Sequence, residues 1–179
     1  MTDPLPPGVR ANLDVIRQGL QLLADLGDER YAARVAVAYG ASIGGHMRHI
    51  IEHYLGFLDG LPDGAVNYEN RARDSLLECD STYASDTLAA IADRLEALAY
   101  VSREEQGEAS RALRIHAETN ADTAADSSML RELEFLLSHT IHHYALVAVM
   151  ARLQGYEPAK GFGVAPSTLK HQQALACAR

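Results

Sequence analysis

The sequence predicts an all-α protein, a four-helix bundle with one long crossover connection. Four segments repeat apolar residues at three- and four-residue intervals, the spacing of a buried helix face. No stretch alternates in the way a sheet-based fold requires, and residues 61–83 between the second and third helices carry no sustained period at all. Four amphipathic helices with one long middle crossover point to a four-helix bundle, which buries every stripe.

The first helix is expected over Val9 to Leu26, where Val9, Leu13, Ile16, Leu20, Leu23 and Leu26 form one stripe and Gly27-Asp28 supplies the stop. Tyr31 to Ala41 reads either as an extension of a neighbouring helix or as an irregular connector. Ser42 is a good N-cap for the second helix, which carries Ile43, Met47, Ile50, Tyr54 and Leu58 inward and ends near Asp59-Gly60. Pro62-Asp63-Gly64 then opens the long connection with turn chemistry. Connections of that length inside a compact domain usually serve function or motion.

The third helix is placed from about Ser85 or Asp86, with Leu88, Ile91, Leu95 and Leu98 facing inward. Residues 109–119 alternate weakly and read as a short strand or an extended connector. Ser127 or Ser128 caps the fourth helix, about Met129 to Gln154, which is apolar on more than one side. The tail after Gly155, about 156–179, contains GFGVAPST with the punctuation of a fixed loop. The whole chain, 1–179, is read as a single domain.

Composition sets limits. The chain has 179 residues, 47% of them hydrophobic and 22% charged, as a domain with its own core requires. A net charge of −8 repels phosphate backbones and anionic lipid, and no basic patch offsets it; nucleic acid and membrane are not expected as partners. Cys79 and Cys177 stand far apart in segments read as polar and irregular, with no CxxC spacing for a disulfide or thiolate site. No apolar run approaches a membrane span and the first residues lack the pattern of a signal peptide, so the cytoplasm is the expected compartment.

The histidines carry the chemistry. Six of the eight fall in two windows: His46, His49 and His53, then His139, His142 and His143. At about 100° per residue, His46, His49 and His53 lie within roughly 60° on one helix face, a stripe continued by Phe57. His139 and His143 are one turn apart, about 40° in azimuth, whereas His142 points away. Two imidazoles at i and i+4 can grip one ion, and a third from a facing helix completes a clamp inside a bundle. Imidazole suits zinc, nickel, iron or copper and not calcium or magnesium. Three protein ligands leave a position for water or substrate, the arrangement of a reactive centre.

Spacing alone leaves open which histidine of the second helix is the third ligand. Thr140 stands where a zincin protease needs its glutamate, which excludes that chemistry. Glu52, beside His53, reads as a solvated residue. His116 and His171 have no role in this pattern.

Two stretches, SIGGHMRHIIEHYLGFLDGL at 42–61 and LEFLLSHTIHHYALVAVMARLQG at 133–155, resemble the DinB-like (DinB/YfiT) superfamily of metal-binding four-helix bundles. That resemblance implies an up-down-down-up topology, a homodimer, and His49, His139 and His143 as the ligands of zinc, nickel or iron. It also brings in thiol-dependent transferases and isomerases, and with them a low-molecular-weight thiol as a second cofactor. NYENRARD at 67–74 and GFGVAPSTL look like marks of a narrower subgroup that also keeps His46, His53 and His142.

Two functions follow. The first is a metal-dependent enzyme on a small molecule, a transferase or hydrolase, with His46 or His53 as proton relay and Arg71 or Arg73 binding a carboxylate-bearing substrate or thiol. The second is a non-catalytic metal or small-ligand binding or stress protein. A bundle that acts only by dimerising through its apolar faces is the bare remainder of both.

Overall fold

A computed structural model of the chain describes residues 5–104, 111–117 and 120–177. It is mostly helical. Four long helices, α1 (Pro7–Leu26), α3 (Ile43–Gly60), α5 (Ser81–Glu104) and α6 (Met129–Leu153), carry the core. Three shorter ones are α2 (Asp28–Ala32), α4 (Leu76–Cys79) and α7 (Pro166–Cys177). Both α1 and α3 pack against α5 and α6, so the α3–α6 seam, which carries the histidine windows, is an internal one. No helix among the described residues is long and apolar enough to cross a membrane.

The caps predicted at Ser42 and Ser128 are in place. The Ser42 hydroxyl accepts from the Gly45 N–H and the Ser128 hydroxyl from the Arg131 N–H, each satisfying a donor that the first helical turn leaves unpaired. The apolar stripes meet as expected, with Val9, Ile16, Ile43, Met47, Ile50, Leu88, Leu95 and Val147 fully buried. A polar chain crosses this core. Asn12 donates to the carbonyls of Gly8 and Leu133, Tyr54 donates to Asn12 at 2.6 Å, and Thr140 donates to Tyr54 at 3.4 Å. Tyr54 adjoins His53 and Thr140 adjoins His139, so this buried network fixes the register in which the two histidine stripes face each other.

Several expectations are corrected. Sheet structure exists: β3 (Ala65–Val66) runs parallel to β4 (Ala112–Ala117), which pairs antiparallel with β5 (Asn120–Ser128). The β5 sequence, NADTAADSS, has little strand propensity of its own; its pairing with β4, Ala112 opposite Ser128 and Ile115 opposite Ala125, supplies the structure. The weakly alternating stretch proves to be β4, with residues 109–110 and 118–119 outside the described ones. Tyr31–Ala41 is neither helix extension nor plain connector: it ends α2 and forms a small hairpin of β1 (Arg34–Val35) and β2 (Ala41–Ser42) around a 3-10 turn. Helix α5 starts at Ser81, about one turn early, where Asp80 accepts from the Tyr83 N–H. The tail folds into α7, and both cysteines end helices, Cys79 in α4 and Cys177 in α7.

The crossover 61–80 is tied down onto α3. Gly44 has no side chain to spare: a Cβ there would collide with the carbonyl oxygen of Glu78. Across this close contact Tyr31 donates to the Leu77 carbonyl at 2.5 Å and Arg48 pairs with Glu78 at 2.7 Å. Glu52 is buried rather than solvated, and its carboxylate accepts from the Asp74 N–H at 2.9 Å. These ties hold the loop against the histidine face of α3.

Candidate metal centre

Four histidine rings meet across the α3–α6 seam. His49 and His139 form the shared middle, with ring centroids 5.0 Å apart. His53 flanks this pair at 4.2 Å from His49 and 4.5 Å from His139. On the other side, His143 lies 4.6 Å from each of the two. Within this cluster the ligand nitrogens of His49, His53 and His139 all lie within 4.8 Å of one another. His46 stands behind His143, their Nδ1 atoms 2.9 Å apart in a hydrogen bond whose donor depends on the tautomers. His142 is exposed beside the His143 ring, and His171 is exposed on α7.

The rings are held neutral, as a metal ligand must be. Burial, reinforced by the neighbouring imidazoles, pushes His49 and His143 down to about 3 and His139 to about 4. Burial also lowers His53 and His46. The hydrogen bonds orient them. His53 Nδ1 donates to the His49 carbonyl at 2.7 Å, which leaves its Nε2 lone pair as the coordinating one. His139 Nε2 is buried with no hydrogen-bond partner among the described residues. A buried imidazole nitrogen without a partner is costly, and an ion in the His49–His53–His139 triangle would satisfy it. Three imidazoles are a donor set for a transition ion, and His49 joins it only when its Nδ1 is released from Arg71.

A cavity of about 900 Å³ opens on this triangle and not on His143. Its floor is His49, His53 and His139; Phe135 and Ile115 give it an apolar side. The polar wall was not foreseen. Tyr68 donates to Glu132 at 2.8 Å, Ser127 donates to the other carboxylate oxygen at 2.5 Å, and the Tyr68 ring stacks on His53 at 5.4 Å. Burial, and then the Glu132 charge, raise Tyr68 well above the ordinary phenol range, so its proton stays on. His116, given no role from sequence, also lines the cavity.

Of the two loop arginines, Arg71 lines the cavity and donates to His49 Nδ1 at 2.6 Å, whereas Arg73 is exposed in the left-handed region at φ 53°. The sequence did offer one signal for this wall: Tyr68, Glu69 and Arg71 all belong to NYENRARD. Glu132 gave none, since an acid in the first turns of a helix is ordinary dipole chemistry.

A mostly helical protein with a histidine cluster at the floor of a cavity is the class this geometry defines. The chain belongs to the DinB family, whose pattern matches residues 1–165. The curated proteins contain no match to it.

Proposed function

We propose that the protein is a metal-dependent enzyme acting on a small molecule, with the ion held by His49, His53 and His139. The observation that carries this reading is the convergence of one ring nitrogen from each, together with a His139 Nε2 that has no partner among the described residues, at the floor of a cavity large enough for a substrate. His143, the third ligand that the family resemblance implies, flanks the same His49–His139 pair and is the alternative ligand. Zinc, nickel or iron suits three imidazoles. Bound there, such an ion supplies Lewis-acid activation of water or a thiolate.

The chain's own residues supply the rest. Glu132 is the one buried carboxylate on the cavity wall among the described residues, and it fixes the Tyr68 phenol beside His53. Tyr68 donates a hydrogen bond from there, and Glu132 accepts a proton from a substrate that displaces it. His46, the other candidate relay, is bonded to His143 away from the cavity. Thiol transfer and hydrolysis are the two reaction classes this arrangement serves, and a low-molecular-weight thiol would be the second cofactor. We read the four long helices as a bundle of up-down-down-up order, supported by the packing of α1 and α3 against both α5 and α6. A homodimer is part of the same proposal, and light scattering gives its mass.

The test loads the purified protein with zinc, nickel or iron and assays thiol transfer to model electrophiles and hydrolysis of activated esters. Turnover that disappears in a folded His139→Ala variant supports the enzyme; tight metal binding without turnover on either substrate class leaves a binding protein instead.

A further inference from the structure

Two guanidinium groups on the cavity have no anionic partner among the described residues. The Arg71 side chain makes one hydrogen bond, to His49, and its buried Nε donates to no described residue. Arg131 lies over the Phe135 ring, 5.8 Å from its centroid, and its guanidinium makes no hydrogen bond to a described residue. The acids nearby do not pair with them: Glu132 is taken by Tyr68 and Ser127, Asp126 pairs with Arg114 at 3.3 Å, and the exposed Glu69 forms no ion pair with either arginine. The lining is not cationic as a whole, since Glu69, Asp126 and Glu132 share it; what sets the two arginines apart is that no described acid pairs with them, beside an apolar wall.

Arg71 also stands against metal binding. A guanidinium can only donate, so the Nδ1 lone pair of His49 is spent on Arg71 and the ring proton sits on Nε2. Neither nitrogen of His49 is then free for an ion. The same charge disfavours added positive charge at His49, His53 and His139 alike. Whatever draws Arg71 toward the cavity releases His49.

We infer that the cavity takes a small molecule with an apolar body and a carboxylate, the carboxylate seated on Arg71 and Arg131 and the body on Phe135 and Ile115. The carboxylate and the ion then bind cooperatively, because the anion both neutralises Arg71 and frees the His49 lone pair. Linkage makes the effect mutual: each raises the affinity of the other by the same factor. The carboxylate seat stands without the proposed metal function; the cooperativity rests on it.

Calorimetric titration with benzoate and with its neutral counterpart benzamide tests both parts, on zinc-loaded protein and on protein stripped with EDTA. Benzoate is expected to bind about tenfold tighter than benzamide to the stripped protein, the size of one charge-assisted contact, and by a larger factor to the zinc-loaded protein. Arg131→Gln should bring the two ligands to within about twofold, with the circular dichroism spectrum and zinc affinity kept. Arg71→Gln should likewise erase the preference, and should tighten zinc binding in the absence of benzoate.

Equal affinity of the two ligands, or no measurable benzoate binding, overturns the carboxylate seat. So does a preference that survives both substitutions, because the carboxylate would then lie on the zinc. Zinc affinity in Arg71→Gln at or below the unmodified level overturns the cooperativity. Failure of zinc to bind the unmodified protein would sink the metal reading, while the EDTA titrations still decide the carboxylate seat.

Discussion

The two flanks of the His49–His139 pair are chemically alike and physically different. On one flank His53 faces the cavity, its Nδ1 committed to the His49 carbonyl, with Tyr68 stacked on it and Glu132 behind. On the other, His143 spends its Nδ1 on His46 and lines no part of the cavity. Ring separations do not distinguish them, since both flanking histidines lie between 4.2 and 4.6 Å from the shared pair. What separates them is the space beside them, which opens on His53 and not on His143. Histidine counting on helices locates a cluster; the cavity and the loop packed beside it single out the members proposed as ligands.

The largest effect should come from the shared members. His49→Ala or His139→Ala removes a ligand from either triangle, and zinc affinity should fall by at least about 100-fold in a chelator competition titration. Zinc affinity within about tenfold of the unmodified protein in both variants would end the idea of a site here. The flanking pair sharpens the comparison. His53→Ala should weaken zinc by at least about tenfold more than His143→Ala does. The reverse order would move the ion to the His143 side and detach it from the cavity.

Acid titration gives a third effect. The folded protein holds His49 and His143 at about 3 and His139 at about 4, below the ordinary 6.5 of an unfolded chain. Below pH 6.5 the unfolded chain therefore takes up protons that the folded one refuses. Stability is whole above that pH and drains away as pH falls toward 4 and then 3. The metal-stripped protein should show a melting temperature that drops steadily from pH 7 to pH 4, and saturating zinc should reduce the drop. A flat profile without metal would contradict the burial of these rings.

The smallest effect belongs to the polar wall. Tyr68→Phe leaves Glu132 short of one donor and should cost about 1–3 kcal/mol in urea denaturation, with zinc affinity little changed. A larger loss of zinc affinity than of stability would make Tyr68 part of the centre's own geometry.

Much of this was legible in the chain. Three of the four long helices announce themselves by stripe and punctuation, and Ser42 and Ser128 begin two of them as their chemistry predicts. The histidine cluster is visible for the same reason, since helical spacing converts directly into azimuth. Less visible is anything set by partners distant in sequence. Strand β5 is polar and alanine-rich and exists because β4 pairs with it. Glu52 looks like a surface residue until the Asp74 N–H, 22 positions away, is seen to need it. Tyr68 and Glu132 are 64 residues apart, and no local pattern says that they touch. The choice between His53 and His143 is of this kind: both lie four residues from a partner on a helix, and only the crossover folding over α3 tells them apart.

An anomalous-diffraction map from crystals grown with zinc tests the central claim most directly. The predicted result is one strong peak bonded to His49, His53 and His139 at about 2.0–2.1 Å, facing the cavity. A peak on His143 in place of His53, or crystals that take up no zinc at this seam, would contradict it.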